Sequence, residues 1–79
     1  MIETLSLIIK NVKEESENIL IREETDLIEE IGLDSLETIQ FILGLEDEFN
    51  VEIDFDDFDF ELLHRVGDLL EFIERTKAL

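Results

Sequence analysis

Apolar residues recur at helical spacing in two separate parts of the chain, and this periodicity constrains the fold more than any other feature. Residues 2 to 15 carry them at offsets of 0, 3, 6, 7 and 10, which places them on one face of a helix. The same kind of spacing predicts a last helix from about Arg65 to Lys77. No segment alternates strongly enough to build a sheet, so the expected fold class is all-α. The two apolar stripes are Ile2, Leu5, Ile8, Ile9 and Val12, and then Val66, Leu69, Leu70 and Ile73.

A further helix is predicted between these two. It should begin near Asp34 and Ser35 and run to about Phe49. Asp34 can accept hydrogen bonds from the first free backbone N–H groups, and Glu37 can reach back in a capping box. The sequence therefore contains three main helices.

Shorter turns are expected in the two connections. Residues 16–34 would be an improbably long bare loop, so this segment should pack on the core. Within it, Asp26 and Glu29 stand at capping-box spacing before Gly32, which predicts a helical turn. Residues 50–53 alternate polar with apolar and residues 54–61 interleave phenylalanines with acids, which together suggest an extended stretch and a short helical turn. The whole chain, residues 1–79, is expected to be one domain.

The balance of charge limits the kinds of partner that this chain can bind. The chain has 23 acidic and 6 basic residues, for a net charge of −17, and residues 23 to 64 hold 16 of the acids but no Lys or Arg. Such a chain repels nucleic acid and steers basic protein surfaces towards itself. It also argues against self-association, so a monomer is expected. The alternative is an acidic surface that only keeps the protein in solution.

Several kinds of protein are excluded by what the sequence lacks. With no Cys, the chain has neither a disulfide framework, nor a thiolate metal site, nor a cysteine nucleophile. No apolar run exceeds three residues and the start lacks a signal-peptide pattern, so no membrane span is expected and the predicted location is cytoplasmic.

The second helix has two apolar faces. At about 100° per residue, five positions fall within one arc and are assigned to the core. A separate apolar strip beside them is bordered by polar and acidic residues, which suits a docking surface for a basic partner. The alternative is that the bundle covers more of this helix. The core positions are Thr38, Phe41, Ile42, Leu45 and Phe49; the strip is Leu36, Ile39 and Leu43, and its border is Glu37, Gln40, Glu46 and Asp47.

Ser35 is the candidate functional residue of this helix. Its hydroxyl should face solvent at the helix N-terminus, where helix dipole and free N–H groups favour an anion. The alternative role is that of a helix cap. His64, the single histidine, is 29 positions away and is interpreted as a cap or a surface residue, so no base activates the serine. Modification of Ser35 by another enzyme is favoured over catalysis.

Residues 32–37, which read Gly-Leu-Asp-Ser-Leu-Glu, resemble the attachment motif of acyl and peptidyl carrier proteins, in which Asp-Ser-Leu opens the second helix. The resemblance continues through residues 38–40, 45–49 and 51–53 to residues 66–73, and so covers nearly the whole chain. It implies a small four-helix bundle, built from three main helices and a short third helix.

The resemblance also implies a cofactor and partners. Ser35 would carry a 4′-phosphopantetheine arm, added from coenzyme A by a magnesium-dependent phosphopantetheinyl transferase, and the arm's thiol would hold cargo as a thioester. Loading and condensing enzymes with basic docking patches are the other expected partners. Asp34, Leu36, Glu37, Ile39, Glu46 and Asp47 match positions that meet these enzymes, and Leu45, Phe49 and Ile53 match positions that line the acyl pocket, with ordinary core packing as the alternative.

Some positions depart from the fatty-acid type of this family. Asp54 stands where that type often has Pro, Arg65 where Thr or Ser commonly caps the last helix, and Gln40 where an acid is frequent. The segment after Ile53 is about two residues longer and richer in Phe. These departures favour a carrier of peptide, polyketide or aminoacyl-transfer pathways, with housekeeping fatty-acid synthesis as the alternative.

Two other functions explain the sequence less completely. A calcium loop counted from Asp57 fails, because Leu62 stands where an EF-hand needs Gly and Asp68 where it needs Glu. A non-catalytic acidic interaction protein, such as a nucleic-acid mimic, explains the charge equally well. It does not explain an exposed serine between acidic and apolar docking residues.

Overall fold

The computed structural model describes residues 2–14 and 19–78. These residues form three α-helices: α1 spans Ile2–Lys13, α2 spans Ser35–Phe49 and α3 spans Val66–Ala78, with a 3₁₀ helix, Phe60–His64, before α3. No strand occurs in the described ranges. The predicted all-α bundle of three main helices plus a short third helix is confirmed.

The bounds of the helices differ from the predictions by a residue or two. Glu14, with φ of 57°, takes the left-handed conformation directly after α1, and residue 15 lies outside the described residues. Arg65 was expected to open α3 but is extended, with φ of −149° and ψ of 112°, so α3 begins at Val66. A single residue in the extended region separates the 3₁₀ helix from α3.

One apolar core joins all of these elements. α2 contributes the five positions predicted from its periodicity, and each of them is buried. Gly44 lets α1 approach α2 closely, because a Cβ at this position would lie 2.7 Å from Cγ2 of Ile8. Burying each Leu, Ile or Phe side chain stabilises the fold by roughly 1.5–3 kcal/mol. The core side chains with no exposed surface are Leu5, Ile9, Leu27, Phe41, Ile42, Leu45, Leu63, Val66, Leu69 and Ile73.

From residue 19 onwards the connection from α1 to α2 packs on the core, as predicted, and residues 16–18 of the predicted segment lie outside the described residues. Its backbone is bonded to the far end of the chain: the Leu27 N–H donates to the Leu63 carbonyl at 2.9 Å, and the Val66 N–H donates to the Thr25 carbonyl at 3.0 Å. These bonds satisfy backbone groups that burial would otherwise leave unpaired. They hold the connection against the 3₁₀ helix and the start of α3.

The predicted turn at residues 26–31 is present, with one difference in its cap. The Asp26 carboxylate accepts the N–H groups of Ile28 and Glu29, both at 2.9 Å. The side chain that accepts the Asp26 N–H is Glu30, at 3.3 Å, and not Glu29. Gly32 follows with φ of 80°, a conformation that favours glycine.

The segment between α2 and α3 is fixed by phenylalanines. Phe58 packs edge-to-face against Phe60 and against Phe72 of α3, with ring centroids 5.1 and 5.5 Å apart. Such aromatic pairs stabilise a fold by about 0.5–1.5 kcal/mol each beyond the burial of their area. Asp54 caps a turn here, because its carboxylate accepts the Asp56 N–H at 2.9 Å.

Candidate functional site

The start of α2 is built by a complete capping box. Asp34 is extended, its carboxylate accepts the Glu37 N–H at 2.8 Å, and the Glu37 carboxylate accepts the Asp34 N–H at 3.1 Å. Lys13 of α1 donates to the same Glu37 oxygen at 2.9 Å and to the Gly32 carbonyl at 3.0 Å. Two helices and the preceding turn thus hold this N-terminus in place.

Ser35 is the first residue of α2 and is exposed. The cap is Asp34, so the serine hydroxyl is not needed for capping, which removes the simplest structural explanation for a serine here. A hydroxyl that faces solvent on a fixed helix terminus is accessible to a second protein. Such a hydroxyl is chemically able to accept a group transferred by another enzyme.

Beside Ser35 lies the predicted apolar strip of α2. The exposed fractions are 64% for Leu36, 44% for Ile39 and 51% for Leu43. Large apolar side chains left in water on one helix face are typical of a docking surface. The separation of α2 into a buried and an exposed apolar face is therefore confirmed.

The border of the strip is less uniform than the sequence suggests. Gln40 and Asp47 are exposed, whereas Glu37 and Glu46 are half-buried. Glu37 belongs to the capping box, and the Glu46 carboxylate accepts the Ile53 N–H at 2.8 Å. These two acids hold the ends of α2 as well as contributing negative charge. The third acid of this border, Asp47, makes no side-chain hydrogen bond or ion pair within the described residues.

A cavity of about 450 Å³ opens next to Ser35, between the start of α2, the turn at residues 26–31 and the 3₁₀ helix. This cavity was not predicted from the sequence, because one of its walls, the 3₁₀ helix, is distant in sequence from the turn and the start of α2. Its lining is Ile28, Leu33, Asp34, Ser35, Thr38, Ile39, Phe60, Glu61, Leu63 and His64.

The three residues predicted to line an acyl pocket lie elsewhere. Leu45, Phe49 and Ile53 are buried in the core, and none of them lines the cavity at Ser35. Their role as a pocket stays a prediction.

His64 ends the 3₁₀ helix and shares the cavity with Ser35. Its Nδ1 lies 2.7 Å from Oδ2 of Asp26. The hydrogen bond with Asp26 raises the pKa of His64, outweighing partial desolvation, and the negative charges of Glu61 and Glu29 raise it further. His64 is an exposed surface residue, in agreement with the prediction, but the cavity that it shares with Ser35 was not predicted. Only the folded chain brings positions 29 apart together.

Asp26 is the partner that orients the imidazole. Desolvation, the largest influence, would raise the pKa of Asp26, but hydrogen bonds from the Glu29 N–H, from His64 and from the Ile28 N–H together lower it. The carboxylate is therefore held ionised by the turn that it caps.

Known proteins match this chain over most of its length. The family described as "Phosphopantetheine attachment site" matches residues 5–73. The chain belongs to this family. An acyl carrier protein from Wolinella succinogenes is 37% identical over 57 residues, which cover 72% of each of the two chains. No solved structure matches the chain significantly.

Membership gives the carrier its cofactor, a covalently bound 4′-phosphopantetheine. The residues at the start of α2 fit such a group: Ser35 offers an exposed hydroxyl that no cap occupies, and the adjacent cavity is open to solvent. Among the helices of the described chain, none has the length and apolar character needed to cross a membrane.

Proposed function

We propose that the carrier bears its arm on Ser35 and presents an acyl, aminoacyl or peptidyl cargo to a series of partner enzymes without catalysing a reaction itself. The observation that carries this proposal is the exposed Ser35 hydroxyl at the first position of α2, where Asp34 and not the serine caps the helix. The arm supplies a thiol, which holds the cargo as a thioester. A chain without Cys has no thiol of its own.

Within the part of the chain that the structure describes, no base is bonded to Ser35, which agrees with modification by a separate enzyme. His64 lines the same cavity, but no hydrogen bond joins it to Ser35 among these residues. Deprotonation of the serine hydroxyl therefore falls to the phosphopantetheinyl transferase, with magnesium and coenzyme A. Asp34 and Leu36, on either side of Ser35, are the contacts proposed for that enzyme at the attachment point.

The exposed face of α2 is the proposed docking surface for the transferase and for loading and condensing enzymes. Apolar side chains at its centre would enter a pocket of the partner, while acids at its border would steer a basic patch into register. Residues 23 to 64 contain no Lys or Arg, so the charged side chains of α2 itself are all acidic, and one of them, Glu37, is paired with Lys13 of α1. The proposed partner-binding residues are Glu37, Ile39, Gln40, Leu43, Glu46 and Asp47.

We further propose that the carrier acts as a cytoplasmic monomer of a specialised pathway for peptide, polyketide or aminoacyl transfer. Gln40 and Arg65, which depart from the fatty-acid type, support this choice. Asp54 supports it less, because the turn that it caps accounts for its presence. Fatty-acid synthesis is the second candidate, and the likeness to an acyl carrier protein favours it.

Intact mass tests the attachment. The purified protein is incubated with coenzyme A, magnesium and a broad-specificity phosphopantetheinyl transferase. The parent and Ser6→Ala should each gain one phosphopantetheine, and Ser35→Ala none. Ser6 is the matched control because it lies on α1 and its hydroxyl donates to the Ile19 carbonyl at 2.7 Å. Addition to Ser35→Ala, or no addition to the folded parent by an active transferase, would contradict the proposal.

Loading distinguishes the two pathways. The modified protein is offered malonyl-coenzyme A with a fatty-acid malonyl transferase and, separately, ATP and amino acids with an adenylating enzyme. Thioester formation in the second reaction alone supports the specialised role. Efficient malonyl loading followed by chain elongation would instead assign the carrier to fatty-acid synthesis.

A further inference from the structure

The cavity beside Ser35 has one side chain able to carry positive charge. Of the residues that line it, Asp34 and Glu61 are acids, and His64 is the single base. Lys13, the cation bonded to the start of α2, contacts Glu37 and does not line the cavity. An anion attached to Ser35 would therefore meet acids on the wall of its own cavity, with His64 as the one compensating group.

His64 is held in a defined orientation. Its Nδ1 is bonded to Asp26, and Asp26 is itself fixed by the N–H groups of Ile28 and Glu29. Because Nδ1–H donates to the Asp26 carboxylate, Nε2 is an acceptor in the neutral ring and becomes a donor when the imidazole is protonated. No hydrogen bond to Nε2 occurs among the described residues. The turn at residues 26–31 thus fixes the ring so that its protonated form has one free donor on the wall of the Ser35 cavity.

We propose that His64, oriented by Asp26, binds the phosphodiester formed on Ser35 and so positions the start of the arm. This inference rests on the proposed function, since it requires the arm to be on Ser35. The interaction is a charge-assisted hydrogen bond from the imidazolium to an anionic oxygen, which is stronger than a bond between neutral groups. His64 is here a positioning residue for the arm.

The acids around His64 favour its charged form. They are Asp26 and Glu29 from the turn and Glu61 from the 3₁₀ helix. Asp34, at the start of α2, lines the same cavity. The pKa of His64 is already raised by Asp26 before modification. A phosphodiester adds a negative charge within the same cavity and should raise this pKa further.

The experiment compares the unmodified and modified protein by NMR, without any substitution. The chain contains one histidine, so the imidazole signals belong to His64. Their titration midpoint should move to higher pH once intact mass shows one arm per chain. An unchanged midpoint in a fully modified protein would overturn the role of His64 and leave the proposed function standing. Failure of Ser35 to accept the arm would overturn both.

A second readout observes the phosphorus nucleus. A phosphodiester does not titrate between pH 5 and 8, so any change in its ³¹P chemical shift reports a neighbouring group, and His is the side chain that ordinarily titrates there. The shift should follow the midpoint of His64 in the parent and lose this step in His64→Gln. Asp26→Asn should move the step to lower pH, because it removes the bond that raises the pKa of His64.

Arg75→Gln is the matched control for loss of one positive charge. Arg75 pairs with Glu71 on α3 and does not line the Ser35 cavity. Its variant should keep the ³¹P step and its midpoint. A step that persists in His64→Gln, or that disappears equally in Arg75→Gln, would overturn the proposal.

Discussion

The two apolar faces of α2 have similar composition and opposite environments. Leu45 has no exposed surface, while Leu43, two residues earlier on the same helix, is 51% exposed. The buried face stabilises the bundle, whereas the exposed face contributes little to folding and is available to partners. The comparison shows that one helix can serve folding with one face and recognition with another. This is possible because successive side chains are rotated by about 100° around the helix axis.

The largest effect expected from this difference is on stability. Leu45→Ala should lower the free energy of unfolding by about 2–5 kcal/mol, because it leaves a cavity in the core. Leu43→Ala should change it by about 0.5 kcal/mol or less. Both variants make the same substitution in the same helix, so helix propensity cancels. Urea unfolding followed by circular dichroism measures the two values, and equal losses would contradict the assignment of faces.

The cap of α2 should have the next largest effect. Asp34→Ala removes the acceptor of the Glu37 N–H and should cost about 0.5–2 kcal/mol of stability. Asp57→Ala is its control, since Asp57 is exposed and its side chain makes no hydrogen bond among the described residues. Both variants lose one negative charge, so a comparable loss in thermal melts would show that charge, and not the cap, is responsible.

Charge at the border of the exposed face should affect encounter with a partner. Asp47→Lys should slow modification by the transferase severalfold at low salt, with the difference shrinking as salt screens the interaction. Glu74→Lys makes the same change in charge at an exposed position of α3. Initial rates at several salt concentrations provide the test. If Glu74→Lys slows the reaction equally, the effect belongs to net charge and not to α2.

The smallest expected effect is the pH dependence of the contact between His64 and Asp26. The raised pKa of His64 gives stability that is complete below about pH 6.5 and is lost as pH rises through the folded-state value. The lowered pKa of Asp26 gives stability that is present above about pH 3.9 and is lost as pH falls through its folded-state value. The contact should therefore be strongest between these limits.

A double-mutant cycle with Asp26→Asn and His64→Gln isolates this contact from the other hydrogen bonds of Asp26. Its coupling, measured from melting curves at several pH values, should be greatest near pH 5 and should decline above neutrality. A coupling that stays constant from pH 5 to pH 9 would show that the pair is not an ion pair in the folded state.

The parts of the fold that depend on local pattern were predicted from the sequence. The capping box at Asp34 and the buried positions of α2 follow from short spacings, which are the same in the sequence and in the helix. The cavity at Ser35 depends on contacts between distant segments. His64 lines this cavity because the Leu27 N–H donates to the Leu63 carbonyl, and no local sequence pattern predicts that hydrogen bond. In the turn, the carboxylate that accepts the Asp26 N–H belongs to Glu30 and not to Glu29, so the acceptor lies one residue from the predicted position.

Transferase kinetics on the two leucine variants test the central claim most directly. At a temperature where both Leu43→Ala and Leu45→Ala are folded, kcat/KM for modification of Ser35 should fall for Leu43→Ala and stay near the parent value for Leu45→Ala. The variant with the larger loss of kcat/KM is then the one with the smaller loss of stability. A rate that falls with stability, so that Leu45→Ala is the poorer substrate, would contradict the division of α2 into a folding face and a docking face.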